Sequence, residues 1–191
     1  MKAQGLTSPE GRRFGSTPCR GDLYRMIAAE HAQLDQLLAK AAGEAAAIDQ
    51  EAYQRFREQL LRHIRIEERI LLPMVQRKRG VALSVAGRLR LDHGALAALL
   101  MLPPADHAFR AIRAVLDAHN PLEEAEGGVY EQCEGLAGSE IAELLRQIAA
   151  TPRVPASSWV DSPKVLAAAQ RALARAGHDP LLLGPYVGGV Q

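Results

Sequence analysis

Two short runs carry side chains at the spacing of a metal site. They are His63-Ile64-Arg65-Ile66-Glu67-Glu68 and His119-Asn120-Pro121-Leu122-Glu123-Glu124. In each, an imidazole and a carboxylate lie four residues apart, which makes them neighbours on one helix face. Around the first run, Leu60, Leu61, Ile64, Leu71 and Leu72 form a broad apolar face, with Arg62, Arg65, Glu68 and Arg69 largely opposite. That stripe flanks His63 and Glu67 and turns both inward, where two polar groups are costly unless they are bonded or hold an ion. Imidazole and carboxylate suit iron, manganese or zinc. Glu68 is read as a solvated charge, and Glu124 stays open as an alternative to Glu123.

Two further histidines, His31 and His93, lie on separate apolar-periodic segments. His31 sits beside Glu30 and four residues before Asp35. Without a doubled acid at that spacing, Asp35 is read as a solvated acid rather than a ligand. His107 and His178 have no partner at ligand spacing and are read as ordinary residues. Tyr24, Tyr53 and Tyr130 are read chiefly as packing residues, a donor role toward the site being the alternative. No catalytic residue is assigned.

The elements that must position these groups are helical. A first helix is predicted from near Asp22, as N-cap, to Gly43, with Leu23, Met26, Ile27, Leu34, Leu37 and Leu38 as its stripe. A second runs from Asp49 to about Arg79 and is expected to kink at Pro73. A third covers about Ala82 to Met101, closed by Pro103-Pro104. The fourth, capped by Asp106, carries His119 and continues irregularly to about Gly135, disturbed by Pro121 and by Gly127-Gly128. Ser139 is expected to cap a short fifth helix, Glu140 to Ala150. A Pro- and Ser-bearing linker, Thr151 to Pro163, leads to a small helix, Lys164 to Ala176.

The expected architecture is all-α: an up-down-up-down four-helix bundle with an additional C-terminal helical extension. Residues 1–20 form an expected flexible arm, 21–150 the bundle with its short fifth helix, and 151–191 the linker, helix and tail. In such a bundle His31 lies about 15 residues before the first turn and His63 about 17 after it, the same level to within one helical turn at about 1.5 Å per residue. His93 and His119 flank the turn at Pro104 with a mismatch of about 6 Å, which is within the uncertainty of helix ends. One histidine per helix thus falls in roughly one layer, with Glu67 and Glu123 a turn away.

The 191 residues hold 23 Lys+Arg and 22 Asp+Glu, so no strong field draws nucleic acid or an anionic membrane. Aromatics at 4% leave the core to Leu, Ala, Val and Ile, which suits helices. Cys19 and Cys133 give neither a disulfide framework nor a Cys-x-x-Cys motif and read as free thiols. No signal-like or membrane-spanning run is present, and a soluble cytoplasmic protein is expected.

The set His31, His63, Glu67, His93, His119 and Glu123, with the run Glu67-Glu68-Arg69-Ile70-Leu71-Leu72-Pro73, resembles the hemerythrin family in its broad His-His-Glu cation-binding form, over roughly Asp22 to Glu134. The resemblance implies a non-haem di-iron centre, oxo- or hydroxo-bridged, with those six residues as ligands and the two glutamates bridging. Manganese or zinc are alternatives to iron. It also implies O2, NO or peroxide as the small ligand, in sensing, storage or redox stress response. A di-iron enzyme that reduces NO or peroxide, or donates iron for cluster repair, is an alternative, as is a metal-free interaction module. Oxygen-carrying members have another histidine at the position of Ala97, and their last acidic ligand falls at that of Glu124. Repair-type members carry an N-terminal cysteine-bearing domain, where this chain has a short arm. A protein partner or a second copy is expected at the C-terminal extension.

Overall fold

The computed structural model describes residues 20–43 and 47–185. The expected arm up to Cys19 and the tail from Tyr186 lie outside the described residues. The described residues are helical, without a strand. Four long helical arms form the up-down-up-down bundle: α1 (Asp22–Ala42), α2 (Gln50–Ile66) prolonged by a π-helical turn (Glu67–Leu71) and α3 (Leu72–Arg79), α4 (Ala86–Leu99), and α5 (Asp106–Glu124). Then come α6 (Val129–Ala137), a 3-10 turn (Gly138–Glu140), α7 (Ile141–Ala149), α8 (Pro163–Arg175) and a 3-10 turn (Pro180–Leu183).

Local chemistry explains most boundaries. The Asp49 carboxylate accepts from the Ala52 amide at 2.9 Å, and Ser162 caps α8 through the Val165 amide with Pro163 as first helical residue. Three expected caps differ. Gly21, Ala105 and Glu140 hold the N-cap positions of α1, α5 and α7, and none makes a side-chain capping bond. Asp22 and Asp106 instead lie in the first turn, where a carboxylate favours the helix dipole, and Ser139 lies in the 3-10 turn.

The expected kink at Pro73 is a widened turn placed before it. The Leu72 amide bonds the Glu67 carbonyl five residues back. In a regular helix the Pro73 ring would meet the Arg69 carbonyl, and the wider turn relieves that clash.

The fourth helix does not run on to Gly135. It ends at Glu124, and Ala125–Gly128 reverse the chain into α6. Gly127 has φ of 71°, and a Cβ on Gly128 would lie 2.6 Å from the Glu123 carbonyl oxygen, so this corner requires glycine.

The core falls into two apolar clusters separated by a polar layer. Leu34, Leu38, Tyr53, Phe56, Leu60, Leu96, Ile112 and Val115 belong to one; Leu23, Ile27, Ile66, Leu71, Leu89, Tyr130 and Cys133 belong to the other. On α1, on the arm begun by α2 and on α4, the histidine stands where the helix passes from one cluster to the other. The extension does not hang free: Leu166, Ala169, Leu173 and Leu183 are buried in the first cluster, with α8 against α4. Arg57, fully buried, ties the linker to the bundle by donating to the carbonyls of Leu100 and Ser157.

Candidate metal centre

His31 from α1, His63 from α2, Glu67 from the π turn, His93 from α4, and His119 and Glu123 from α5 are all buried and meet in the layer between the clusters. They fall into two overlapping groups whose donor atoms lie within 4.8 Å of one another. One is His31, His63, Glu67 and Glu123; the other is His93, His119, Glu67 and Glu123. Each group thus has two imidazoles, and both share the same two carboxylates. The His31 and His63 rings are 4.6 Å apart and the His93 and His119 rings 4.8 Å.

The Nε2 atoms turn inward. His63 Nε2 is 3.1 Å from Glu67 Oε1, His93 Nε2 3.0 Å from Glu67 Oε2, and His119 Nε2 3.3 Å from Glu123 Oε2. Among the described residues, Glu123 Oε1 is buried with no hydrogen-bond partner, and Glu67 Oε2 and His93 Nε2, though 3.0 Å apart, are poorly aligned for a hydrogen bond. Orphaned polar atoms this deep are costly, and converging nitrogen and oxygen donors of this kind fit divalent or trivalent cations.

Every outward Nδ1 atom faces its own acid. His31 Nδ1 is 2.5 Å from Glu124, His63 Nδ1 3.1 Å from Glu30, and His93 Nδ1 2.8 Å from Glu68. His119 Nδ1 is 3.5 Å from Asp92, within ion-pair reach but long for a hydrogen bond. Such acids fix ring orientation and raise the basicity of the inward nitrogen. The doubled glutamates therefore divide their work: Glu67 and Glu123 face inward, while Glu68 and Glu124 hold histidines of other helices. Glu68 is not the solvated charge expected of it.

The supporting acids are themselves anchored. Arg62 donates to Glu30 at 2.7 Å, and Arg90 to Glu68 at 3.3 Å. Asp92, fully buried, accepts from Arg88 at 2.9 Å and lies 2.8 Å from His178 Nε2. His178, expected to be an ordinary residue, thus joins the C-terminal extension to the acid beside His119. Asp35 pairs with Arg113 at 2.5 Å and belongs to neither group. Ala97 is exposed on α4, and His107 lines a separate cleft of about 510 Å³ that shares no residue with the site.

Tyr130 is the largest departure from expectation. Tyr53 packs among Phe56, Phe109 and Trp159, and Tyr24 donates at 3.3 Å to the Glu124 carbonyl oxygen. The Tyr130 hydroxyl enters the centre itself, 2.6 Å from Glu67 Oε1, 2.8 Å from Glu123 Oε2 and 3.1 Å from His31 Nε2. Seven residues after Glu123, it would stand about 10 Å further along an unbroken helix. The Gly127-Gly128 corner brings it back.

Without metal, the layer is a set of ion pairs. Burial pulls the His63 pKa down, but Glu67 and Glu30 outweigh it and lift it to about 10. Burial likewise opposes His119, which Asp92 and Glu123 raise to about 10. Burial pushes Glu67 up, yet His63 and His93 hold it well below the usual carboxylate range. Burial, then Glu67 and Glu123, drive Tyr130 well above an ordinary phenol, and burial pushes the Cys133 thiol up to about 12.

A four-helix bundle with two histidine pairs sharing two carboxylates is the frame of a metal-binding protein. The family model of the hemerythrin HHE cation binding domain matches residues 22–126, more than half of the chain. The chain belongs to that family. No curated protein and no solved structure matches it. Among the described residues no helix is long and apolar enough to cross a membrane.

Proposed function

We propose that the protein holds two iron ions and uses them to bind a small ligand, O2, NO or peroxide, in sensing, storage or redox stress response. The observation that carries this reading is the pair of ligand groups sharing Glu67 and Glu123. His31 and His63 would hold one ion and His93 and His119 the other, with Glu67 and Glu123 available to both. Iron bound to these donors supplies redox electrons and coordination positions for a small ligand. His31, His63, His93 and His119 stay oriented because Glu124, Glu30, Glu68 and Asp92 fix their Nδ1 sides.

The space beside the histidines supports the choice of ligand. A cavity of about 10 Å³ lies against all four rings, walled by Leu34, Leu60, Ile64, Leu96 and Leu116. That is room on the scale of one water molecule, far below the roughly 300 Å³ or more of an organic-substrate pocket. Asp35 and Asn120 complete its lining, and the mostly apolar wall suits a small neutral ligand. The metal-free module is disfavoured by the unpartnered inward Glu123 Oε1 and by the poor alignment of the Glu67–His93 pair. The free, buried Cys133 suits a reducing cytoplasm.

Iron analysis of protein purified without oxygen tests the metal; about two per chain is expected. Mixing the reduced protein with O2 then tests the role. A reversible change in the absorption spectrum supports binding. Irreversible oxidation, or turnover of NO or peroxide, moves the assignment to a redox enzyme. Protein that takes up no metal refutes both.

A further inference from the structure

We propose that the Tyr130 hydroxyl oxygen is a further ligand of the ion held by His31 and His63, leaving the ion of His93 and His119 to take the small ligand. This rests on the dinuclear reading above and adds an asymmetry to it. Metal bonds of about 2.1 Å meeting at right angles put adjacent ligand atoms about 3 Å apart. Tyr130 Oη stands at that kind of separation from three donors: 2.6 Å from Glu67 Oε1 and 2.8 Å from Glu123 Oε2, which both groups share, and 3.1 Å from His31 Nε2, which only the first has. It is a member of the donor cluster by position, not a residue reaching in from behind it.

The second group has no counterpart. Among the described residues, His93 Nε2 and His119 Nε2 have Glu67 and Glu123 as their ion-pair partners, and the Tyr130 hydroxyl bonds His31 but neither of these rings. With Tyr130 the first ion would meet five of these donors and the second four. The cavity is lined by all four histidines and not by Tyr130, so it lies on the side of the centre away from the phenol. Tyr130 lies instead with the opposite apolar cluster, beside Cys133 and Val129. An incoming ligand thus meets the histidine side of the centre, and the more open ion is the one it can join. The phenolic proton, which the hydroxyl donates to the carboxylates in the structure, passes to solvent as the ion binds.

The test uses the full chain loaded with ferrous iron without oxygen and then oxidised. A visible phenolate-to-iron charge-transfer band is expected, with tyrosine ring modes enhanced in its resonance Raman spectrum. Tyr130→Phe should lose both while still holding about two irons per chain. Azide added to the wild type should bind with the tyrosine modes retained, because it occupies the other ion. Iron-loaded wild type without those modes would reduce Tyr130 to a hydrogen-bond donor and overturn the proposal, whatever the fate of the variant. Displacement of the modes by azide would overturn the placement of the open position. Wild type that holds no iron would overturn the dinuclear reading itself.

Discussion

Asp92 offers the sharpest test of how the extension and the site are joined. It is fully buried on α4, with Arg88 at 2.9 Å on one oxygen, His178 at 2.8 Å on the other, and His119 Nδ1 at 3.5 Å. Burial would raise its pKa, but His119, Arg88 and His178 beside it hold it at about 2. Asp92→Asn keeps the shape and removes the charge. Its carbonyl oxygen can still accept one of the two short bonds; its amide must face the other donor. One hydrogen bond to a charged group is worth about 1.5–3 kcal/mol, so the metal-free protein should lose about 2–3 kcal/mol. In a chain of this size that is a fall of about 4–12 °C in Tm, at about 2–4 °C per kcal/mol. The His119 ring also loses the acid that orients it, for which a fall of about tenfold or more in metal affinity is the usual scale. Thermal unfolding of the metal-free protein and competitive metal titration read the two effects separately. His178→Ala should reproduce most of the stability loss and less of the affinity loss. Unchanged Tm together with unchanged affinity in Asp92→Asn would refute the claim that this acid links extension and centre.

Further expectations concern the metal and its competitors. His63→Ala should lose bound metal, and with it the stabilisation that ligand binding confers, about 2.7 kcal/mol at a metal concentration one hundred times Kd; elemental analysis and a metal-dependent Tm read both. In the metal-free state His63 and His119 are held at about 10. A pKa raised above its unfolded value stabilises fully below about 6.5, and that contribution fades as pH rises toward 10. Metal-free Tm should therefore fall across that window while metal affinity rises, because binding must displace those protons. Affinity independent of pH between about 6 and 9 would contradict the ion-pair account. Pro73→Ala removes the ring that conflicts with the Arg69 carbonyl, so the π turn can relax to α-helix and rotate Glu67; metal affinity should drop by about tenfold without loss of helix content by circular dichroism.

Much of the protein was legible in the residues alone. The apolar stripes of α1, α2 and α5, the helix start at Asp49 and the four-residue His–Glu spacings are local, and helix geometry turns such patterns directly into faces and levels. His31, His63, Glu67, His93, His119 and Glu123 could be gathered from that periodicity and from a family resemblance. What one sequence cannot rank is which helix supplies the partner of a given atom. Glu30, Glu68, Asp92 and Glu124 look like any solvated acids until the helices pack and place each beside a histidine of another helix. His178 meets Asp92 only because α8 docks on α4.

Tyr130 marks the division most clearly. Its spacing from Glu123 points two turns away, and only the glycine corner at 127–128 cancels that distance. Residue types and local period set the helices and put four imidazoles and two carboxylates into one layer. The choice of which acid steadies which ring, and of the phenol that joins them, belongs to tertiary packing, because those contacts span from seven to more than ninety residues of chain.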